Sequence, residues 1–207
     1  MSTVADVIAD VRVEINDVSK TRFSSDTSEI LPIVKQAIRR ANRVVQRHSI
    51  PFAKTSATLT TVADTAYVSL PSDFDIPIGI WRDDTDERLT HVNEQEWETL
   101  DSPAALTYWF LDIENSRIYL AGTPDSAETL TIRYFPTVDP SAYTTASTMP
   151  WSGRLDDAIT RYVALRLQNI DEMNVKTDEN ILTDFENSII QTYMYQNPPI
   201  VEGARWL

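Results

Sequence analysis

The sequence predicts an α+β fold: a four-helix bundle formed by N- and C-terminal helix pairs, with an inserted, mostly antiparallel β module and an extended C-terminal tail. Three observations predict it. Apolar residues recur at helical spacing at both ends of the chain, in 1–54 and again from Leu155. Between them Thr, Val and Tyr dominate, and turn-formers such as "AGTPD" at 121–125 separate short runs. The charge changes at the same places. Residues 1–54 carry nine Lys and Arg against six Asp and Glu, residues 55–150 four against sixteen, and residues 151–207 five against nine.

The first helix follows from Val4, Val7, Ile8, Val11, Ile15 and Val18, with Thr3 and Asp6 as a capping box. A second, longer helix follows from Ile30, Val34, Ala37, Ile38, Ala41, Val44 and Val45, capped by Asp26 or Ser28. Pro32 fits only in its first turn. "TSATLTTVADTAYVSLP" reads as two strands around a turn at Ala63–Ala66. Further strands are expected at 76–82, 108–111, 117–120 and 129–134, interrupted by a short helix that Asn93 and Glu96 cap ahead of Trp97. Two helices return through Ile159, Tyr162, Val163 and Ile170, then Ile181, Leu182, Phe185, Ile189 and Tyr193. Pro198 and Pro199 stop the last of them, so 197–207 should run extended. The expected divisions are 1–54, 55–150, 151–196 and the tail 197–207.

With 207 residues the chain can bury a core. It has no cysteine, which excludes a disulfide framework, a thiolate zinc site and a cysteine nucleophile. The first ten residues lack the basic and apolar blocks of a signal peptide, and no window approaches the roughly 18 apolar residues of a membrane span. A net charge of −13 disfavours sequence-independent binding of DNA phosphates by the surface as a whole.

Lys35, Arg39, Arg43 and Arg47 recur every four residues on the second helix, beside Arg40. They form a basic stripe that either pairs with acidic groups of the chain's own β module or meets an acidic neighbouring subunit. The tail residues Pro198, Pro199, Ile200, Val201, Arg205, Trp206 and Leu207 combine extended backbone with apolar side chains. That combination suits either a tail that folds back onto its own bundle or frays, or a docking arm with Trp206 as anchor. The carboxylates Asp83, Asp84, Asp86 and Glu87 could hold a hard cation, but lack the glycine and distal glutamate of a calcium loop and read more simply as a solvated hairpin tip. His91 and Glu94 are three apart, but the cap at Asn93 places His91 ahead of the helix, and His48 is the only other imidazole. No catalytic site, metal or cofactor is expected. Trp81, Trp97, Tyr108, Trp109 and Phe110 offer an alternative, an aromatic platform for carbohydrate, although such side chains at strand spacing usually enter a core.

Several stretches together, "VADVIADVRVEIND", "TRFSSDTSEILPIVKQAIRRAN", "YVSLPSDF", "IGIWRD", "IRYFP" and the C-terminal helical pair, resemble the head-to-tail adaptor (connector) proteins of tailed bacteriophages. The likeness runs from about Val4 to about Tyr193. It implies a structural protein of the virion neck, made in the host cytoplasm, in a ring of about twelve copies. Such a ring sits between the portal protein and a downstream tail or nozzle protein, touches no membrane, and lets DNA pass without sequence-specific binding. The C-terminal segment would reach into the portal. Tyr67, Leu70, Pro71 and Asp73 are the most distinctive part of the likeness. Tyr67 and Leu70 would plug the boundary between sheet and bundle, while Pro71 removes a ladder donor and ends the strand, holding the module at a fixed angle.

Overall fold

The computed structural model describes residues 1–100, 106–122, 124, 126–170 and 175–196. Among them are five α-helices and seven strands, an α+β protein. The chain divides into two units: Met1–Phe52 with Val138–Leu207, and Ala53–Thr137 between them.

In the first unit α1 (Val4–Glu14) starts on the expected capping box. The Thr3 hydroxyl accepts the Asp6 N–H while the Asp6 carboxylate accepts the Thr3 N–H. The helix stops earlier than its apolar spacing suggests. Asn16 takes a left-handed backbone, and Val18, expected on the apolar face, is exposed. A π-type turn at Asp26–Ile30 leads into α2 (Leu31–Arg47), with Pro32 in the first turn as expected. The last two helices are α4 (Asp156–Asn169) and α5 (Val175–Gln196). α4 packs on α1, α2 and α5, and α2 also packs on α1 and α5. The residues buried there are the periodic ones: Val4, Val7, Ile8 and Val11 from α1, Val34, Ala37, Ile38, Ala41, Val44 and Val45 from α2, Ile159, Tyr162, Val163 and Leu167 from α4, and Ile181, Phe185 and Ile189 from α5.

The stretch 138–153, whose residues 138–150 are expected in the β module, belongs to this unit. It forms short turns at Pro140–Ala142 and Pro150–Gly153 rather than strands. The start of α1 binds it: the N–H groups of Val4 and Ala5 donate to the carbonyls of Ser147 and Thr145, each at 2.9 Å. Those first-turn amides have no partner within their own helix, so the chain supplies one from outside.

The second unit holds two sheets. β1 (Thr55–Thr60), β7 (Thr129–Pro136) and β3 (Phe74–Arg82) form an antiparallel three-stranded sheet with β7 in the middle. β2 (Tyr67–Ser69), β6 (Arg117–Ala121), β5 (Tyr108–Asp112) and β4 (Thr90–His91) form the other, in that order, with β4 parallel to β5. The two strands expected around Ala63–Ala66 are therefore in different sheets, β1 beside β7 and β2 beside β6. One core serves both sheets: Leu59, Ile80, Leu130, Ile132 and Tyr134 from the first, with Val68, Trp109, Ile118 and Leu120 from the second. Alternate residues point inward along β7, where Leu130, Ile132 and Tyr134 are buried and Thr129 and Arg133 exposed. The short helix α3 (Glu94–Thr99) carries the expected Asn93 and Glu96 box.

Candidate functional site

The turn after β2 explains its proline. β2 belongs to the four-stranded sheet and β3 to the three-stranded one, so the ladder has to end between Ser69 and Phe74. Pro71 offers no N–H to prolong it, and its carbonyl accepts the Phe74 N–H at 3.1 Å to close the turn. Leu70 and Phe74 pack against the core from the two sides of that turn. Asp73 accepts the Tyr134 hydroxyl at 2.6 Å through its side chain and the Thr137 N–H at 2.7 Å through its carbonyl. Burial, and secondly this bond to a carboxylate, push the Tyr134 hydroxyl up to about 12. Tyr67 pairs with Tyr119 across β2 and β6, and the Arg117 guanidinium lies 4.3 Å over its ring. Asp73 thus holds the chain just past β7 at Thr137, whereas Tyr67 and Leu70, expected at a boundary between sheet and bundle, make these contacts within the β unit.

The basic stripe of α2 does not act as one surface. Lys35 donates to the Ser141 carbonyl at 2.8 Å, and Arg39 lies near Asp139. Hydrogen bonds from the Ser141 hydroxyl and N–H, aided by Arg39 and Lys35, hold the Asp139 carboxyl below its ordinary range. Arg40 turns toward the helices, its guanidinium 5.7 Å over the Tyr162 ring. Arg47 is 3.9 Å from Glu186. Arg43 is exposed and makes no ion pair among the described residues. The stripe's acidic neighbours in the chain are Asp139, which falls within the expected 55–150 stretch, and Glu186 of α5.

A buried charge cluster was missed. The Arg12 side chain is 5% exposed; it donates to the Asp17 carboxylate at 2.9 Å, to the Asp26 carboxylate at 2.7 Å and to the Phe23 carbonyl at 2.8 Å. Asp17 also accepts the N–H groups of Thr21, Arg22 and Phe23, which shapes the loop after α1. Asp17 is held below its ordinary range first by the Arg22 N–H, and Asp26 first by the Lys20 ammonium and then by Arg12. A signal was available in the sequence. Val4, Ile8 and Arg12 are spaced by four, so Arg12 occupies an apolar-stripe position and has to be paired if buried.

The acidic run at 83–87 is the exposed tip of a hairpin that the Trp81–Arg88 bridge closes. Asp83 accepts the Thr131 hydroxyl at 2.6 Å, and Asp84 pairs with Arg82 at 3.2 Å. His91 lies 4.4 Å from the Trp109 ring, and His48 ends α2 at the surface. Among the described residues no three His, Asp or Glu side chains gather in a metal-holding group. The five aromatics proposed as a platform are divided between sheets. Trp81 is on β3 and Tyr108, Trp109 and Phe110 on β5, with Trp109 buried and Trp97 stacked 6.0 Å from Phe110. Pro198, Pro199, Ile200, Val201, Arg205, Trp206 and Leu207 lie outside the described residues. No helix among the described residues is long and apolar enough to cross a membrane.

A family model described as SU10 adaptor protein matches residues 2–198, nearly the whole chain. No curated protein matches it.

Proposed function

The chain belongs to the SU10 adaptor protein family, a family of phage head-to-tail adaptors, and on that premise we propose that it is a structural protein of the virion neck. The single observation that carries this reading is the family match over residues 2–198. Copies form a ring of about twelve around the DNA exit channel, seated on the portal protein and followed by the downstream tail or nozzle protein. In each copy the two helix pairs form the four-helix bundle, the β unit is the insertion, and Tyr67, Leu70, Pro71 and Asp73 brace its end. Residues 197–207 dock on the portal. DNA passes without sequence-specific contact, which the net charge of −13 favours by repulsion. The protein does no chemistry and takes no cofactor; its work lies in interfaces.

The test is negative-stain electron microscopy of the full chain mixed with the portal ring of the same virus. Added density on one end of the portal is expected, and deleting residues 198–207 should remove it while the melting curve stays almost unchanged. Bare portals at high adaptor concentration would sink the reading.

A further inference from the structure

The outer face of the three-stranded sheet carries a group of cations that the acidic β unit does not neutralise. Residues 53–137 contain fifteen Asp and Glu but only five Lys and Arg. Three of the five, Lys54, Arg88 and Arg133, line one cleft of about 550 Å³ together with Trp81. A second hollow of about 420 Å³ adjoins it at Arg88 and reaches His91 and Trp109. No carboxylate lines either hollow among the described residues. All three cations are exposed, and none is paired with an acidic group there.

The arrangement is held in place rather than loosely hung. Arg133 lies 4.3 Å and Arg88 5.4 Å from the Trp81 ring centre, so one indole fixes both guanidinium groups. Arg88 is further tied by a 2.9 Å bond to the Ile78 carbonyl. Gly79 leaves the necessary space: a Cβ there would come within 2.9 Å of both the Arg88 side chain and the Trp81 ring. Trp109, 3% exposed, has an indole N–H with no hydrogen-bond partner among the described residues. A buried donor without a partner is costly, and the charged side chains that line the two hollows, Lys54, Arg88 and Arg133, can only donate. The missing component is an acceptor that carries negative charge.

We propose that this cleft binds carboxylates of a second copy of the same chain, as a lateral contact that sets the register of the ring. The proposal rests on the ring reading above. A closed ring needs heterologous interfaces, in which one patch of a subunit meets a different patch of the next. Copies of charge −13 repel one another at long range, so a contact between them forms where one copy presents unneutralised cations to the other's acids. The same net charge disfavours nucleic acid as the occupant. Arg and Trp are also the side chains that most often anchor protein interfaces.

The test uses the full chain assembled on portal rings. In the parent, zero-length carbodiimide coupling should join Lys54 to an Asp or Glu of another copy, which mixed heavy- and light-isotope copies identify by mass spectrometry. The double variant Arg88→Glu/Arg133→Glu should weaken lateral association by at least about tenfold, with its melting transition retained. Lys54→Glu, a single change at an exposed site, should act in the same direction and guards against a folding artefact in the double variant. Full rings from all the variants, with no Lys54 cross-link in the parent, would overturn the cleft assignment and leave the ring reading standing. Failure of the parent to form rings would overturn both. Quenching of the tryptophan fluorescence by a single-stranded oligonucleotide, lost in Trp81→Phe and in the double variant while lateral association of the double variant is unchanged, would replace the second copy by nucleic acid.

Discussion

The two units solve the same problem by different means. In the helical unit the spacing of residues within each helix decides what is buried, and the one charged residue in an apolar stripe, Arg12, is neutralised locally by Asp17 and Asp26. In the β unit burial depends on strands far apart in sequence. β1 finds its partner in β7, with Thr55 opposite Tyr134, and the core is shared between two sheets. Local spacing therefore marks the buried faces of the first unit, although its N-terminal helices still meet partners more than a hundred residues away, while in the second unit burial itself waits on long-range strand pairing.

The sharpest way to break this contrast is Ile132→Ala. Ile132 is fully buried in the middle strand, and its truncation should cost about 2–5 kcal/mol. The measurement is the denaturant midpoint followed by tryptophan fluorescence in a Trp151→Phe/Trp206→Phe background, since the remaining Trp81, Trp97 and Trp109 all belong to the β unit. Helical circular dichroism should keep its own midpoint if the units melt separately; a common shift of both signals would show that they unfold together.

Arg12→Met tests the helical unit. Removing three charge-assisted bonds should destabilise it by roughly 2 kcal/mol and move the circular dichroism midpoint before the fluorescence one. Acid should act on the same cluster. Asp17 and Asp26 have folded-state values below the ordinary 3.8, so their contribution is complete above that pH and disappears as pH falls through the folded values. An acid-unfolding curve for Arg12→Met that overlies the parent's would contradict this account.

The smallest expected effect sharpens the role of the Pro71 turn. Tyr134→Phe deletes only the hydroxyl that Asp73 accepts, and should cost about 1 kcal/mol. Ultraviolet titration of the tyrosines should at the same time lose the component near 12. If that component persists in the variant, another phenol is responsible for it.

Periodic spacing made most of the helical unit legible: the capping box of α1, the first-turn place of Pro32 and the buried faces of α2, α4 and α5 follow from near neighbours in the chain. The stripe of α2 was legible as a stripe but not as a divided surface. Which cation meets Ser141, Tyr162 or Glu186 depends on elements a hundred residues away or more. The cleft at Trp81 had no sequence signal, because Lys54, Arg88 and Arg133 come from three separate places in the chain.

What the sequence determined by itself is therefore the order of elements, the α+β class, the capping boxes of α1 and α3 and the proline that ends β2, all of them set by interactions within a few residues. The start of α2, expected to be capped by Asp26 or Ser28, instead follows a turn capped by Ser25. The tertiary structure alone decided that β1 and β2 part into different sheets, that 138–150 joins the helices, and that three scattered cations gather around one indole. The physical reason is the same each time: strand pairing and surface charge are settled by which distant segments pack, and the local backbone carries no record of that choice.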